Sequence, residues 1–194
     1  NSNFFLETDG MFCENLIKKL KIYKLRSKVK INKIEKINSF IAFGDIKNDS
    51  NTLIICKDPR NPNIGNKVIH EFANPQILNS FDEINEDKYH EILIKNLVPY
   101  SRYDLEENKS LLLENNFENL NSISWEKGCY IGQEITARMK YRALLKKKVY
   151  TLAVKSGLPQ NKQIIKENGK DLGKIISVKN NFLLAMIKID FALK

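Results

Sequence analysis

The stretch from residue 144 to 194 restricts the possible folds most strongly, because short apolar runs alternate there with turn signals. The apolar runs lie at 149–154, 164–165, 172–178 and 182–189. Asn168-Gly169 is a strong signal for a tight hairpin, and 156–159 and 180–181 also read as turns. Several short strands with turns between them are typical of small antiparallel barrels. We therefore predict a C-terminal β-barrel over 144–194.

Residues 1–98 have the mixed pattern of an α+β unit. The sequence predicts a strand at 4–6, then a helix that is capped by Asp9 and carries Phe12, Leu16, Leu20 and Tyr23 at helical spacing. Alternation at Val29 and Ile31 and apolar runs at 39–43, 53–56 and 67–72 predict further strands. A second helix, marked by Tyr89, Ile92, Leu93 and Leu97, should stop at Pro99. This order suggests a split β-α-β, ferredoxin-like unit.

Residues 99–143 form the third predicted part, a connecting segment. The helical and strand patterns weaken up to Trp125, and long connections in compact chains tend to be functional. We expect Trp125 to be a core anchor, with a platform for a flat ring as the alternative. The segment leads to the octapeptide K-G-C-Y-I-G-Q-E at 127–134 and to a predicted helix from Gln133 to about Ala143. Ile135 and Met139 should share one face of this helix, and Glu134 and Arg138 are spaced to pair.

Cys129 is the candidate functional residue of the octapeptide. It lies just before a helix start, where free backbone N–H groups and the positive end of the helix dipole favour an anion. Lys127 adds a nearby positive charge, and both features favour the thiolate over the thiol. Most free cysteines are small buried hydrophobes. The flanking Gly128 and Gly132, which allow sharp turns or close approach of a ligand, single this cysteine out.

The other cysteines and the histidines give no pattern for a disulfide framework or a metal site. Cys13, Cys56 and Cys129 form no C-x-x-C pair and are odd in number, which indicates a reducing compartment. We expect Cys13 and Cys56 to be core residues. His70 and His90 stand alone without metal-ligand spacing, so we predict no metal site.

The net charge of +9 fits an anionic partner, such as nucleic acid, a polyglutamyl tail or an acidic protein, and equally a solvated lysine surface. The cations Arg138, Lys140, Arg142 and 146–148 lie among apolar residues, but no stacking-platform motif accompanies them. We therefore expect no direct contact with nucleic acid. No apolar run approaches the roughly 20 residues that span a bilayer, so we expect no membrane partner.

The octapeptide resembles the K-G-C-[FY]-x-G-Q-E signature of the YgfZ family of folate-binding proteins. That family includes mitochondrial iron–sulfur cluster assembly factors and is related in fold to the glycine-cleavage aminomethyltransferase, the T-protein. Weaker matches lie at 23–29 (Y-x-L-R), at Asp58-Pro59-Arg60 with Gly65, at 114–116 and at 135–138. Family members normally begin with a further segment that carries part of the folate cavity, and that segment has no counterpart here.

The resemblance implies a T-protein-like fold and a folate-binding accessory protein that assembles or repairs 4Fe–4S proteins, with an indirect effect on tRNA modification. Cys129, with Lys127, would supply the reactive thiol. The residues that would contact tetrahydrofolate are Tyr130, Gln133, Glu134, Arg138 and Arg26. The implied partners are iron–sulfur client proteins or assembly factors, in the cytoplasm of a bacterium or the mitochondrial matrix of a eukaryote.

Three alternatives stay open. One is a tetrahydrofolate-dependent aminomethyl- or methyltransferase of the T-protein type, although the T-protein has no such cysteine motif. Another is a nucleic-acid-binding module built on the cations listed above. For Gln133 and Glu134, the structural alternative is helix capping and pairing with Arg138. Whether the chain is an enzyme is not decided by the sequence.

Overall fold

The computed structural model describes residues 4–130 and 132–192. Its helices are α1 (Gly10–Tyr23), α2 (Glu86–Lys95), α3 (Ser101–Asp104), α4 (Gln133–Tyr141) and α5 (Ile189–Ala192). Its strands are β1 (Asn38–Ala42), β2 (Thr52–Lys57), β3 (Asn66–His70), β4 (Lys147–Ala153), β5 (Ile164–Glu167), β6 (Lys170–Lys179) and β7 (Phe182–Lys188). Short 3-10 helices cover Pro62–Ile64 and Gln76–Leu78. None of the helices in these ranges is long and apolar enough to cross a membrane.

The first sheet has the antiparallel order β1-β3-β2, with β3 in the centre. Val68 of β3 faces Phe40 of β1 and Ile55 of β2, and it is fully buried. Gly65, just before β3, has a φ of 103°, and a Cβ there would lie 2.7 Å from the Ile41 side chain. Glycine is therefore required both by the left-handed backbone and by the close approach of β1.

The split β-α-β unit predicted for residues 1–98 is not formed by the described residues. Helix α1 begins after Asp9, whose carboxylate accepts from the Met11 N–H, as predicted. However, 4–6 and the segment around Val29 are not strands, and Phe4 and Val29 are 89% and 52% exposed. An apolar run without a neighbouring strand to complete its backbone hydrogen bonds does not become a strand.

The second sheet has the antiparallel order β4-β7-β6-β5. Asn168 and Gly169 join β5 to β6 with φ values of 50° and 76°, and two positive φ values are the signature of a type I′ hairpin turn. The prediction of antiparallel strands in this part of the chain is confirmed. The barrel is not closed among the described residues, because β4 and β5 are the two edges and do not pair with each other. The four strands form an open sheet.

Helix α2 packs between the connecting segment and the second sheet. Asn85 caps it by accepting from the Lys88 N–H, and the chain leaves the helix before Pro99, as predicted. One face of the helix places Leu93 in a cluster with Ile64, Val98 and Leu120. The other places Ile94 against Val149 of β4 and Leu184 of β7, all three fully buried. Apolar burial on both sides therefore positions the helix.

A buried polar network joins the same elements. His90 Nε2 of α2 lies 3.0 Å from both carboxylate oxygens of Asp104, at the end of α3. Asp104 also accepts from the Ser177 hydroxyl of β6 at 2.6 Å and from the Tyr100 N–H at 2.7 Å. The network links residues 90, 104 and 177, which lie in three different predicted parts of the chain. The division at 98 and 143 stays a prediction.

Candidate functional site

The octapeptide forms a loop that turns sharply into α4. Gly132 is the N-cap of α4 and has a φ of 88°, in the left-handed region that glycine adopts most easily. A Cβ at Gly132 would meet nothing within 4 Å, so the requirement for glycine is conformational and not steric. Ile131 is the octapeptide residue that lies outside the described ranges. The predicted helix start at Gln133 is confirmed, and the helix ends at Tyr141.

The side chains of Gln133 and Glu134 serve the local structure. The Gln133 Oε1 accepts from the Tyr130 N–H at 3.2 Å, and the Gln133 N–H donates to the Tyr130 carbonyl at 3.3 Å. Glu134 pairs with Arg138 one turn later at 2.5 Å. The pairing of Glu134 with Arg138, one part of the structural alternative, is therefore confirmed. The other part, capping, is not formed, because the start of α4 has no side-chain cap and Gln133 accepts from an N–H outside the helix. A role of the same residues in folate binding stays a prediction.

Cys129 is exposed and lies at a cleft of about 220 Å³. The cleft is built by the octapeptide loop, the residues before it and one face of α4. Its lining consists of Ile123, Ser124, Trp125, Lys127, Cys129, Tyr130, Gln133, Thr136, Ala137 and Tyr141. The structure thus brings together four of the predicted site residues, namely Lys127, Cys129, Tyr130 and Gln133.

Trp125 forms a wall of this cleft, and its prediction as a core anchor is wrong because the side chain is only half-buried. Its indole Nε1–H donates to Glu118 at 3.0 Å. Its ring meets the ring of Tyr141 edge-on, with centroids 5.9 Å apart at 73°. The Lys140 ammonium lies 5.4 Å from the indole centroid and pairs with the same Glu118. The indole is therefore held in place from several sides.

Sequence reasoning missed Thr136 and Tyr141. Both follow Gln133 at helical spacing, at i+3 and i+8, so the helix prediction already placed them on the face that Gln133 presents. The predicted pairing of Ile135 with Met139 on one face needs correction, since Ile135 is 59% exposed whereas Met139 is buried. Thr136 and Met139 form the buried face of α4.

Lys127 lies over the ring of Tyr130, with its ammonium 4.6 Å from the ring centroid. This cation–π contact keeps a positive charge at the rim of the cleft that holds Cys129. Tyr130 itself is 41% exposed. The loop thus presents a thiol, a cation and an aromatic ring to the solvent.

Two other predicted site residues, Gly128 and Arg26, do not line this cleft. Gly128 has no left-handed φ, and a Cβ there would meet nothing within 4 Å, so the fold itself does not require glycine at 128. Arg26 is exposed in the turn after α1. Within the described ranges, no hydrogen bond or ion pair joins Arg26 to the Cys129 loop. Its predicted contact with folate stays a prediction.

The other two cysteines are not core residues, contrary to prediction. Cys56 is exposed on β2 and Cys13 is half-buried on α1. The reason for Cys56 is that β2 is an edge strand whose outward-facing residues have no covering layer. No group of three or more histidine, cysteine or acidic side chains that could hold a metal ion occurs in the described part of the chain.

The fold and the site define a mixed α/β chain with an exposed thiol ahead of a helix and an antiparallel C-terminal sheet. Residues 146–194 match the family model described as the CAF17 C-terminal beta-barrel domain. The matched residues comprise β4–β7 and their connections.

Among curated proteins, the chain is similar to mitochondrial iron–sulfur cluster assembly factors named IBA57. The Mus musculus protein is 26% identical over 81% of this chain and 47% of the relative. The Homo sapiens protein is 25% identical over 96% of this chain and 56% of the relative. The homolog from Mycosarcoma maydis is 30% identical over 77% of this chain and 38% of the relative. The chain thus spans about half or less of the length of most of these relatives. The similarity to these assembly factors agrees with the resemblance of the sequence to an iron–sulfur assembly family. The match of the octapeptide to that family's signature stays a prediction.

Proposed function

We propose that this chain takes part in the assembly or repair of iron–sulfur proteins and acts through the thiol of Cys129. The similarity to proteins named as iron–sulfur cluster assembly factors supports the process. The observation that carries the role of the thiol is its position, exposed at the rim of a cleft directly before α4. A cysteine that only filled the core would be covered on all sides.

The chemistry of the loop suits a ligand for iron. Cysteine thiolates are the usual protein ligands of iron–sulfur clusters. Cys129 lies in the loop that leads into α4, and Lys127 lines the same cleft, so the positive end of the helix and the ammonium favour a cluster of negative net charge at this loop. One thiol supplies one of the four ligands of a 4Fe–4S cluster. The proposal therefore assigns the remaining ligands to a client protein or assembly partner, with the cluster as cargo.

Tetrahydrofolate binding is a separate proposal with weaker support. The cleft of about 220 Å³ is smaller than the roughly 300–1,000 Å³ of pockets that take drug-sized ligands. The Gln133 carbonyl and the Glu134 carboxylate are already engaged within the loop and helix. Strands β1–β3 contribute no lining residue to the cleft. The described residues do not fit the whole cofactor. Calorimetric titration of the protein with tetrahydrofolate tests the proposal, and no detectable heat at millimolar ligand would remove it.

The proposal extends to clients and location. Maturation of 4Fe–4S enzymes that modify tRNA would give the indirect effect on tRNA that the resemblance implies. The relatives are mitochondrial by name, which supports the mitochondrial matrix for a eukaryotic source of this chain.

The test compares two exposed cysteines in cells that lack the native protein. Cys129→Ser should abolish support of 4Fe–4S enzyme activity, whereas Cys56→Ser, a matched exposed control away from the cleft, should retain it. Because both side chains are exposed, each variant should unfold within about 0.5 kcal/mol of the parent. In the purified chain, Cys129 should also be alkylated faster than Cys56 at neutral pH.

Both thiols are exposed, so a difference between their alkylation rates reports a difference in the chemical environment of the two thiols. Full complementation by Cys129→Ser at the parental protein level would remove the proposed role of the thiol. Slower alkylation of Cys129 than of Cys56 would remove its chemical basis.

A further inference from the structure

We propose that the cleft beside Cys129 is a docking pocket for one large apolar or aromatic side chain of an acidic client protein. The inference rests on the proposed function, because it describes how a client would be held against the thiol. It concerns the volume, the walls and the charge of the cleft.

The volume suits a single side chain. At about 220 Å³, the cleft lies below the range of small-molecule sites and is too small for an extended cofactor. Its lining combines apolar Ile123 and Ala137 with Trp125, Tyr130 and Tyr141. Tryptophan and tyrosine are enriched, with arginine, at the energetic centres of protein interfaces, where an anchor fills a pocket.

The walls of the cleft are set before any partner binds. The Nε1–H of Trp125 donates to Glu118 at 3.0 Å, and its ring meets the ring of Tyr141 edge-on at 73°. Elsewhere in the lining, the Tyr130 N–H donates to Gln133, and the Lys127 ammonium lies over the Tyr130 ring. A preformed pocket loses less conformational entropy on binding than a flexible surface does.

The charge around the cleft selects an acidic partner. Residues 118–148 contain seven lysines and arginines but only three glutamates. Three of these cations are paired, Lys140 with Glu118, Arg138 with Glu134 and Lys147 with Glu114. Within the described ranges, Lys127 and Arg142 have no carboxylate partner. Of these two, Lys127 lines the cleft and Arg142 follows the lining residue Tyr141 in the chain. An unpaired cation at a pocket favours acidic residues around the anchor of the partner.

A base of single-stranded nucleic acid is the other occupant that cations and aromatic rings can bind, but it requires an open ring face for stacking. Here the indole of Trp125 is half-buried, with Lys140 over its ring and Tyr141 edge-on to it. The rings thus act as walls of a concavity and not as a flat platform.

Trp125 is the single tryptophan of the chain, so its fluorescence reports directly on the cleft. Three blocked pentapeptides serve as probes of the full chain: one has a central phenylalanine between four acidic residues, one replaces that phenylalanine with alanine, and one keeps it between four lysines. The acidic phenylalanine peptide should give a saturable change and bind at least tenfold tighter than either of the others. An equal affinity of the acidic alanine peptide would overturn the anchor, and an equal affinity of the lysine peptide would overturn the charge selection.

Two tyrosine variants locate the binding. Tyr141→Ala removes an aromatic wall that is 71% exposed, so the chain should still fold and lose at least tenfold in affinity. Tyr23→Ala removes a 59% exposed tyrosine of α1 that does not line the cleft, and it should bind like the parent. Equal affinities of the two variants would place the peptide elsewhere and overturn the proposal.

A small-molecule or nucleic-acid occupant is tested with the same reporter. Saturable quenching by tetrahydrofolate or by a short oligonucleotide, without a response to any peptide, would overturn docking of a client side chain. Even if the cleft binds no client side chain, Cys129→Ser should still fail to complement cells that lack the native protein. Failure of this inference is therefore distinguishable from failure of the proposed function.

Discussion

Replacing Gly173 with alanine should be among the most destabilising small changes in this chain. Gly173 lies on β6 opposite Ile187 of β7 and Ile165 of β5. A Cβ at this position would lie 2.1 Å from the Met186 carbonyl oxygen and 2.9 Å from the Ile187 Cα. Both neighbours are backbone atoms, so no change of rotamer relieves the clash, and β6 and β7 must move apart.

The cost follows from what the separation of the strands breaks. Forcing an extra methyl group into a packed site costs about 1–3 kcal/mol. Loss of about two ladder hydrogen bonds between β6 and β7 adds about 1 kcal/mol each. We therefore expect the free energy of unfolding to fall by about 3–5 kcal/mol, a large part of the roughly 5–15 kcal/mol of a typical domain.

Urea denaturation of three glycine variants measures the effect against matched controls. Gly128→Ala, which meets no atom within 4 Å and needs no left-handed backbone, should unfold within about 0.5 kcal/mol of the parent. Gly132→Ala, at a φ of 88°, should cost about 1–2 kcal/mol. The order Gly173, Gly132, Gly128 is the prediction. A Gly173 variant as stable as the Gly128 variant would refute the close approach of β7.

Two further predictions concern the contact of α2 with the second sheet. Hydrogen bonds from Lys95, then Asn180 and Lys88, lower the pKa of the Glu91 carboxyl from 4.5 to about 2 despite its burial. The stabilisation by the ionised carboxylate is therefore complete above pH 4.5 and is lost as the pH falls towards 2. In thermal unfolding between pH 2 and 6, Glu91→Gln should show a smaller loss of stability at low pH than the parent. An unchanged loss would contradict this assignment. Leu184→Ala should lower the free energy of unfolding, measured in urea, by about 2–5 kcal/mol. As a control, Leu158 is 94% exposed, and Leu158→Ala should unfold within about 0.5 kcal/mol of the parent. Equal values for the two variants would contradict the packing of α2 on β7.

The elements that the sequence predicted well are those that short-range signals define. Asn168-Gly169 specified a hairpin because both residues tolerate a positive φ, and the structure has that turn. Asp9 marked a helix start because its side chain accepts from one of the first free N–H groups. Strands β1–β7 lie close to apolar runs that the period-2 pattern and the turn residues delimit.

The errors lie where an element depends on a partner that is distant in the chain. The run at 4–6 is apolar enough for a strand, but strand formation requires a neighbour with free hydrogen-bonding groups. Cys56 occupies a β strand with apolar neighbours, yet its edge position exposes it. Closure of a barrel likewise depends on how far β4 lies from β5, which no local pattern encodes.

The candidate site was predictable in its residues and less so in its geometry. The octapeptide singled out Cys129, Lys127 and Tyr130, and all three line one cleft. The contribution of Trp125 and Tyr141 arises because the loop before α4 folds back onto one face of the helix. That arrangement depends on the left-handed turn at Gly132, whose direction the sequence does not specify.

The strand order of the second sheet dictates when this chain can fold during synthesis. β7 is the last of the seven strands to be made, yet it pairs with both β4 and β6. Until residue 188 has left the ribosome, β4 lacks the strand that pairs with it, and Ile94 of α2 lacks its contact with Leu184. From the completion of α2 at residue 95 until residue 188 has been made, the nascent chain therefore carries an unsatisfied apolar helix face. Chaperones bind such a form, and it aggregates when synthesis stalls.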